Sequence, residues 1–463
     1  MNPEGHRFSG RGARRVPFTE SPSGALRRRG SILIGVLWCV ALLAVIVVST
    51  LHSARLGLVL ARHHGDDVQA HYLALAGIEK AKAMLAADDG QSRRAGRIPA
   101  AELADSPAQF RDVALGRGRF SVLRRDPSRP GAGWLYGVAD ESARLNLNVA
   151  PTNELLRVPG LTADIAAAIL DWRDGDNATG PGGAEVDYYA SLVPPHMVRN
   201  GPFQTVRELL MVRGVTAELL LGRPLGRRAE EAPPADPERP AWEDLFTVHS
   251  SAPDTDVAGE ARVNVQTADE TALTGVRGIT PEIAKAIVAH RGRTRFETLA
   301  DLLDVGAAPA TGALQPNGVP VPQGGGNPGG PKIISETLLQ DLADHLTVGE
   351  GDEARGTGLV NVNTAGLRVL SCLPGVEAPL AQAIISQRES AGPFPHTLAL
   401  LKVPGVDRDR LKLLLPRVTA RSETYRIHAE GTVPGRGNRR HIETVVRIIA
   451  TGFTTLAYRE DDL

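Results

Sequence analysis

Cysteine is scarce in this sequence, which has only Cys39 and Cys372 among its 463 residues. Two cysteines exclude a disulfide-rich scaffold and a zinc site with four cysteine ligands. Cys39 lies inside a long apolar run, so a disulfide with Cys372 is geometrically implausible. The length exceeds that of one ordinary domain, and we expect two or three compact units joined by linkers.

Aromatic side chains and net charge are also scarce. Phe, Trp and Tyr make up 4% of the sequence, and 52 Lys and Arg against 53 Asp and Glu leave a formal net charge of −1. Few aromatics argue against base-stacking platforms, and a balanced charge provides no global field to hold a polyanion. The sequence also lacks Gly-x-Ser-x-Gly, Walker and His-Glu-x-x-His motifs. We therefore expect neither an enzyme nor a nucleic-acid-binding protein.

One long hydrophobic run is present near the N-terminus. Residues 31–51 carry no charge and follow three consecutive arginines at 27–29. The run is long enough to cross a hydrocarbon core of ~30 Å, and the arginines predict a cytoplasmic N-terminus. Further apolar residues at helical spacing predict that the same helix continues as an amphipathic segment on a soluble domain. These residues are Val68, Tyr72, Leu75, Ile78, Ala81 and Leu85.

The N-terminus resembles that of type IV prepilins and pseudopilins. In that family a short basic leader ends in glycine and is followed by an apolar helix that continues amphipathically. The resemblance implies that a prepilin peptidase cuts between Gly30 and Ser31. Gly35 stands at the fifth mature position, where most family members have Glu. A residue other than Glu is usual there in one minor class, the K-type pseudopilin of the type II secretion system (general secretion pathway protein K).

Three gapless repeats begin at residues 145, 263 and 360. In each repeat a glycine is followed by alanine at six residues, isoleucine at nine and arginine at thirteen, and such matched spacings indicate repeated structural units. The second halves share Phe, then Leu at six and Val at nine. The pattern predicts pairs of helices joined by tight glycine turns, and it resembles a double helix-hairpin-helix module. The repeated residues are Gly160, Ala166, Ile169 and Arg173; Gly278, Ala284, Ile287 and Arg291; and Gly375, Ala381, Ile384 and Arg388.

DNA-binding hairpins usually carry a second glycine in the turn, whose backbone N–H groups hold a phosphate. Thr162, Thr280 and Glu377 replace that glycine here. We therefore favour a structural role for the repeats over DNA binding. Two segments, 222–261 and 306–331, are rich in Pro together with acid or Gly, and both predict flexible linkers. We expect the β-like stretches at 245–248 and 345–348 to pair with the Val-Asn-Val run that follows each.

The first repeat carries an insertion, Asp174 to Pro202, that the other two lack. It concentrates carboxylates around a Gly-rich turn, with one more acid a helical turn before it. Hard oxygen ligands on a flexible loop suit Ca²⁺, whereas a solvated acidic loop is the simpler reading of the composition alone. The segments DWRDGD and GGAEVDYY resemble those of K-type pseudopilins, which bind calcium in this domain. The resemblance implies a calcium site among Asp171, Asp174, Asp176, Glu185 and Asp187.

Alternating segments on both sides of the repeats predict strands of one further domain. They lie at 119–124, 134–140, 144–149, 425–433 and 442–450, the last two joined by a turn at 434–440. The expected fold is therefore α+β: a long N-terminal transmembrane helix, a pilin-like antiparallel sheet, and a large inserted all-α domain of helix-hairpin-helix repeats. This is the arrangement of K-type pseudopilins, enlarged by a complete middle repeat.

The expected division of the chain follows from these features. It comprises a leader (1–30), the N-terminal helix (31–86), the first part of the sheet (105–149), module 1 (150–221), a linker (222–261), module 2 (262–305), a linker (306–331), module 3 (359–418) and the last part of the sheet (419–463).

The resemblance implies a structural minor pseudopilin near the tip of a pseudopilus, working in protein secretion across the outer membrane. It would span the inner membrane once, with its C-terminal bulk in the periplasm. The expected partners are other minor pseudopilins of the same system, prepilin peptidase and the inner membrane, with no nucleic acid. The alternatives are a membrane-anchored DNA-uptake receptor and a minor pilin of a type IV pilus.

Overall fold

A computed structural model describes residues 29–95, 103–126, 133–222, 240–306, 331–349, 357–434 and 439–460. The chain divides into two units, Met1–His64 and Gly65–Leu463. Residues 1–28 of the expected leader lie outside the described residues, and Gly30 and Ser31 fall in the first turn of the first helix.

The helices and strands of the described residues are numbered in chain order. The α-helices are α1 (Arg29–Ala95), α2 (Pro107–Phe110), α3 (Thr152–Leu155), α4 (Ala163–Arg173), α5 (Val186–Ala190), α6 (Ala217–Leu221), α7 (Trp242–Leu245), α8 (Glu270–Thr274), α9 (Pro281–Arg291), α10 (Glu336–Leu342), α11 (Leu367–Leu370), α12 (Ala378–Ala391) and α13 (Arg408–Leu414). Short 3₁₀ helices lie at Glu141–Ala143, Val206–Met211, Leu299–Asp304, Thr397–Lys402 and Leu415–Arg417. The strands are β1 (Val113–Leu115), β2 (Gly118–Arg125), β3 (Trp134–Leu135), β4 (Ala139–Asp140), β5 (Leu145–Asn146), β6 (Phe246–Thr247), β7 (Val263–Asn264), β8 (Leu346–Thr347), β9 (Val360–Asn361), β10 (Val418–Thr419), β11 (Thr424–Thr432), β12 (Arg439–Ile449) and β13 (Gly452–Glu460).

The first unit contains the apolar run. Its large hydrophobic side chains between Ile32 and Leu60 are exposed. Within the described part of the chain, the stretch Ile32–Arg94 of α1 is the one helix that is long and apolar enough to cross a membrane. The helix meets this criterion by its length and composition, and a signal sequence near an N-terminus meets the same criterion.

The second unit contains a seven-stranded sheet within the described residues. Its main path runs β1-β2-β11-β12-β13 with antiparallel neighbours, while β3 pairs with β2 and β4 pairs with β11. The expected strand at 144–149 is not part of this sheet. The sheet instead contains two strands that were not expected from the sequence, β1 and the nine-residue β13, at the two ends of its main path. The turn expected at 434–440 lies partly outside the described residues.

The C-terminal part of α1 packs on this sheet through a face that differs from the expected one. Ile78, Ala81 and Leu85 are buried as predicted, but Tyr72 is 65% exposed and Val68 is 42% exposed. Their place is taken by Ala70, Leu73 and Ala74, all buried. The reason is a close approach: a Cβ on Gly431 of β11 would overlap the backbone of Ala70 and Ala74. Small residues on both sides therefore rotate the helix away from the expected stripe.

Each repeat is closed by its own pair of parallel two-residue strands. β5 pairs with β6, β7 pairs with β8, and β9 pairs with β10. The stretches at 245–248 and 345–348 therefore pair with the run that precedes them, not with the run that follows, and this expectation was wrong. As a result, module 1 continues past 221 to β6 and module 2 continues past 305 through α10 to β8.

The repeated arginine has one structural task in all three modules. Arg173 donates to the carbonyls of Leu147 and Ala150, Arg291 to those of Val265 and Ala268, and Arg388 to that of Val362. The guanidinium at the end of the second helix thus satisfies backbone acceptors beside the module's first strand.

The repeated phenylalanine is fixed by a side-chain amide. Asn148 and Asn363 each exchange two hydrogen bonds with the backbone of the matching residue, Phe203 or Phe394, at 2.7–3.0 Å. Gln266 donates once to the carbonyl of Phe296 at 3.0 Å. These bonds set the register between the two hairpins of a module. The glycine turns have positive φ as expected, for example +80° at Gly160 and +101° at Gly278.

The modules share one hydrophobic core and pack directly against one another. Arg157 of module 1 donates to carbonyls of module 3, at 2.7 Å to Leu373 and 3.0 Å to Val376. Glu154 of module 1 pairs bidentately with Arg417 of module 3 at 2.6 and 2.8 Å. The linker expected at 222–261 is also only partly a linker. Its described part, 240–261, contains α7 and β6, and its residues Trp242 and Phe246 are fully buried in this core.

Candidate metal centre

The acidic insertion begins at the C-terminal end of α4. Thr162 caps the N-terminus of this helix by accepting from the Ile165 N–H at 3.3 Å. Trp172 is buried at the other end of α4. Its ring centroid lies 5.1 Å from that of Tyr189 in an edge-on arrangement and 6.4 Å from that of Phe203 in a stacked one. This aromatic anchor fixes the last turn of α4 and therefore the direction of the carboxylates before and after Trp172.

The Gly-rich turn of the insertion wraps around Asp171. The Gly180 N–H donates to Asp171 Oδ2 at 3.2 Å, and the Gly183 N–H closes the turn on the Gly180 carbonyl at 2.9 Å. A Cβ on Gly183 would overlap the Asp171 carboxylate, and Gly182 has φ +78°. The glycines are thus required by the close approach of the backbone to a buried carboxylate.

Three carboxylates converge beside this turn. One oxygen of each of Asp171, Asp174 and Glu185 lies within 4.8 Å of the other two. Asp171 is 5% exposed and Glu185 is 2% exposed, whereas Asp174 is exposed at the rim. Among the described residues, neither carboxylate oxygen of Glu185 has a hydrogen-bond partner, although both are buried. Two buried oxygens without a partner are costly unless something else satisfies them.

Burial and mutual repulsion raise the pKa values of the two inner acids. Burial raises the pKa of Glu185, and the negative charges of Asp171, Asp174 and Asp176 raise it further. The pKa of Asp171 is raised mainly by burial, with Asp174 adding to it, while the hydrogen bond from Gly180 opposes the shift. Close carboxylates in a partly dry site therefore favour a proton or a cation.

The other two predicted ligands are not members of this triad. The side chain of Asp176 accepts from the Ala178 N–H at 2.8 Å, so it shapes its own turn. Asp187 is exposed in the first turn of α5. Neither belongs to the cluster of three within the described residues.

Sequence reasoning missed two residues that organise the insertion. Asn200 donates to the carbonyl of Asp176 at 2.7 Å and to Asn177 Oδ1 at 2.6 Å, with φ +46°. Arg213, from the second hairpin of module 1, donates to the Gly182 carbonyl. Asparagine adopts positive φ more readily than most residues, so Asn200 could have indicated a turn from the sequence. No pattern in the sequence pointed to Arg213.

The triad could hold a metal ion. Its carboxylate oxygens are hard ligands, two of the acids are buried, and one of the unpartnered oxygens of Glu185 lies within 4.8 Å of an oxygen of each other acid.

The hairpin turns are occupied by structural contacts. Thr162 and Thr280 each cap the helix that follows the turn, accepting from Ile165 and Ile283. Glu377 makes no side-chain cap and places a carboxylate at the corresponding position in module 3. These turns thus use side-chain oxygens where a DNA-binding hairpin offers backbone N–H groups to a phosphate.

Comparison with protein families identifies the region that holds the triad. Residues 137–222 match the family described as "Type II secretion system (T2SS), protein K", and residues 259–307 and 356–419 match "Helix-hairpin-helix motif". The chain therefore carries a domain of the protein K family together with helix-hairpin-helix segments. This confirms the resemblance to K-type pseudopilins and the α+β fold with helix-hairpin-helix repeats.

Known proteins and structures with partial similarity fall in two groups. The chain is 28% identical over 180 residues to the mouse protein "Endonuclease/exonuclease/phosphatase family domain-containing protein 1", and 27% identical over 179 residues to the rat protein of that name. These alignments span 38% of this chain and 31% of each relative. A solved structure of the GspK-GspI-GspJ complex from the type 2 secretion system of enterotoxigenic Escherichia coli covers 87% of this chain and 99% of its own, with 14% identity and a TM-score of 0.45.

Proposed function

We propose that this chain, which carries the protein K domain of type II secretion systems, is a structural minor pseudopilin of such a system. The match of residues 137–222 carries the proposal. The packing of α1 against an antiparallel sheet, and the insertion of three helical modules between the sheet's strands, support it. In this role the protein contributes to secretion across the outer membrane from a position at the tip of a pseudopilus.

The size of the helical part and the N-terminal helix support the proposed tip position. The three modules form one bulky core that copies stacked along a thin fibre would have to accommodate. Gly35 is exposed and offers no carboxylate to the N-terminus of a neighbouring subunit. The proposed partners are therefore other minor pseudopilins of the same system, and the structure from Escherichia coli holds GspK together with GspI and GspJ.

The membrane anchor in this proposal is the apolar part of α1. The protein crosses the inner membrane once, and its C-terminal bulk lies in the periplasm. Prepilin peptidase cuts between Gly30 and Ser31, because a small residue before the cut fits its site. The test is co-expression with the peptidase and mass determination of the membrane-bound product. A mass that begins at Ser31, and an uncut Gly30→Leu precursor, are expected; an intact wild-type N-terminus would contradict the proposal.

The metal centre in this proposal binds Ca²⁺ through Asp171, Asp174 and Glu185. A divalent cation bound there would turn the repulsion among the carboxylates into attraction and tie the insertion to α4. Asp176, whose negative charge raises the pKa of Glu185, is a further candidate ligand, whereas the exposed Asp187 is not assigned to the ion. Mg²⁺ should substitute poorly because it needs a tighter octahedral site and releases its waters reluctantly.

A structural role also accounts for the chain better than an enzymatic or DNA-binding one. The mouse and rat relatives have nuclease-family names, but the chain spans only 31% of their length. Thr162 and Thr280 cap helices at the hairpin turns, and Glu377 places a carboxylate at the corresponding turn, where it would repel a phosphate. A membrane-anchored DNA receptor, the alternative, predicts submicromolar binding of duplex DNA near physiological salt in a gel-shift assay. We expect only weak retention that is steeply lost with salt.

A further inference from the structure

Arg213 connects the acidic insertion to the second hairpin of module 1. It lies in the turn before Gly214, and its guanidinium donates to the carbonyl of Gly182. The same guanidinium sits 5.4 Å above the ring centre of Tyr188, and the Arg213 N–H donates to the Tyr189 hydroxyl at 3.3 Å. One residue thus contacts the insertion at three points along its length.

The carbonyl that Arg213 holds belongs to the turn around Asp171. Gly180 and Gly183 approach the Asp171 carboxylate so closely that any shift of the turn moves a hydrogen-bond donor of that carboxylate. The chain from 180 to 183 also leads directly into Glu185, one oxygen of which lies within 4.8 Å of an oxygen of Asp171 and of Asp174. The position of two members of the triad therefore depends on where this turn sits.

The turn that carries Arg213 is itself held rigidly against α4. Gly214 has φ +84°, and a Cβ there would lie 2.9 Å from Ile165 Cγ1. Tyr189, which accepts from the Arg213 backbone, is completely buried against Trp172. Arg213 therefore projects from a fixed base, and a planar guanidinium that stacks and donates at once keeps a single orientation.

We propose that Arg213 is a positioning residue of the metal centre, fixing the Gly182 carbonyl so that the turn Gly180–Gly183 and Glu185 are held in place for the ion. The inference rests on the proposed metal function of Asp171, Asp174 and Glu185. Arg213 itself does not touch the ion; it acts through the turn, as residues behind metal ligands commonly do.

The test compares Arg213→Gln with a control that removes a positive charge from the insertion itself. Arg199 serves as the control because it donates to the Pro202 carbonyl at 2.7 Å and pairs with Glu208 at 3.5 Å, away from the Gly-rich turn. Calcium affinity is measured by titration of the full chain in detergent. Hydrogen–deuterium exchange of residues 174–190 is measured in EDTA, without any metal.

Arg213→Gln should raise the calcium Kd about 10- to 100-fold, and Arg199→Gln should change it less than about threefold. In EDTA, the amides of the Gly-rich turn should exchange faster in Arg213→Gln than in the wild type. Arg213→Lys keeps the charge but loses the fork and the stacking, so it should also weaken calcium binding, and it covers the case in which the glutamine variant fails to fold.

Calcium affinity in both Arg213 variants equal to that of the wild type would overturn the inference, as would an equal loss in Arg199→Gln. A wild-type protein that binds no calcium would instead contradict the metal centre, and the inference would fall with it. The two failures are distinguishable because the wild type binds calcium in the first and not in the second.

Discussion

Glu185 is the residue on which the metal centre depends most, because both of its buried carboxylate oxygens lack a partner among the described residues. We expect Glu185→Gln to remove the calcium response, about 2.7 kcal/mol of stabilisation at a hundredfold excess of calcium over Kd. In EDTA the same variant should melt at or above the wild-type temperature at neutral pH, because it no longer buries a charge among other carboxylates.

Asp187→Asn is the matched control for this prediction. It also removes one carboxylate from the insertion, but Asp187 is exposed and outside the triad. Thermal unfolding with EDTA, Ca²⁺ or Mg²⁺ compares the two variants. A calcium shift that survives in Glu185→Gln would show that the triad does not bind the ion.

The raised pKa values of Asp171 and Glu185 give the calcium effect a predictable pH dependence. Without metal, the folded state binds protons more tightly than the unfolded chain, so these two groups lower stability as pH rises from their ordinary pKa values, ~4, through the raised ones. Calcium needs both carboxylates ionised, so it competes with those protons. The difference in melting temperature between calcium and EDTA should therefore grow as pH rises across this window.

Melting curves at a series of pH values, each measured with calcium and with EDTA, show whether the difference in melting temperature grows with pH. The difference in melting temperature between calcium and EDTA cancels the contribution of groups that titrate in the same way in both conditions. A difference that stays constant or shrinks as pH rises would contradict a site made of these carboxylates. In Glu185→Gln, the pH dependence of the difference should be much reduced.

Among the metal candidates, the sequence predicted the triad but could not separate it from its neighbours. Asp171, Asp174 and Glu185 belong to a pattern shared with a known family, yet Asp176 and Asp187 belong to the same pattern. Their separation depends on backbone directions within the insertion, where the side chain of Asp176 accepts from the Ala178 N–H and Asp187 lies in the first turn of α5. Asn200, 24 residues after Asp176, donates to the carbonyl of Asp176, and Trp172 packs on Tyr189 in the helix that carries Asp187. Such contacts are made by side chains outside the acidic pattern and cannot be read from it.

At the scale of elements, the repeated arginine is expected to hold each module together. Arg291→Met should destabilise module 2 by about 2–3 kcal/mol, because it removes two charge-assisted hydrogen bonds to the carbonyls of Val265 and Ala268 while keeping the aliphatic stem. Hydrogen–deuterium exchange should show faster exchange across α9 and β7. The control is Arg293→Met, two residues further on and exposed. Equal effects of the two substitutions would refute this role.

The helical hairpins could be predicted from the sequence, and the strands that close them could not. Glycine, alanine, isoleucine and arginine recur at fixed spacings, which is enough to place two helices and a turn. The parallel pairs β5–β6, β7–β8 and β9–β10 are two residues long each. A strand of two residues is too short to show an alternation of apolar and polar residues, and its partner strand is distant in sequence.

The helix α1 shows the same limit on one element. Its apolar half was predictable from composition and its continuation from helical spacing, although the helix ends at Ala95 and not at the expected residue 86. Its buried face was not, because Tyr72 and Val68 fit the helical period as well as Leu73 and Ala74 do. The choice between them is made by glycines of the sheet: Gly431 lets the helix backbone at Ala70 and Ala74 approach closely, and Gly118 leaves room for the side chain of Leu73.

For the whole molecule, family resemblance and physical pattern together predicted the architecture of a sheet interrupted by helical modules. The sequence also suggested that linkers separate the modules, whereas Glu154, Arg157 and Arg417 join modules 1 and 3 directly. Charged contacts between distant segments leave no trace in local composition. The single core beneath them is what gives the second unit the bulk expected of a tip subunit.

The central claim is that this protein is a minor pseudopilin that works in a complex with other minor pseudopilins. The most direct measurement is purification of the full chain in detergent after co-expression with the two small minor pseudopilins of the same secretion system, followed by native mass spectrometry. We expect a complex with one copy of this chain and one of each partner. A chain that copurifies with neither partner, or that forms long fibres by itself, would show that it is not such a subunit.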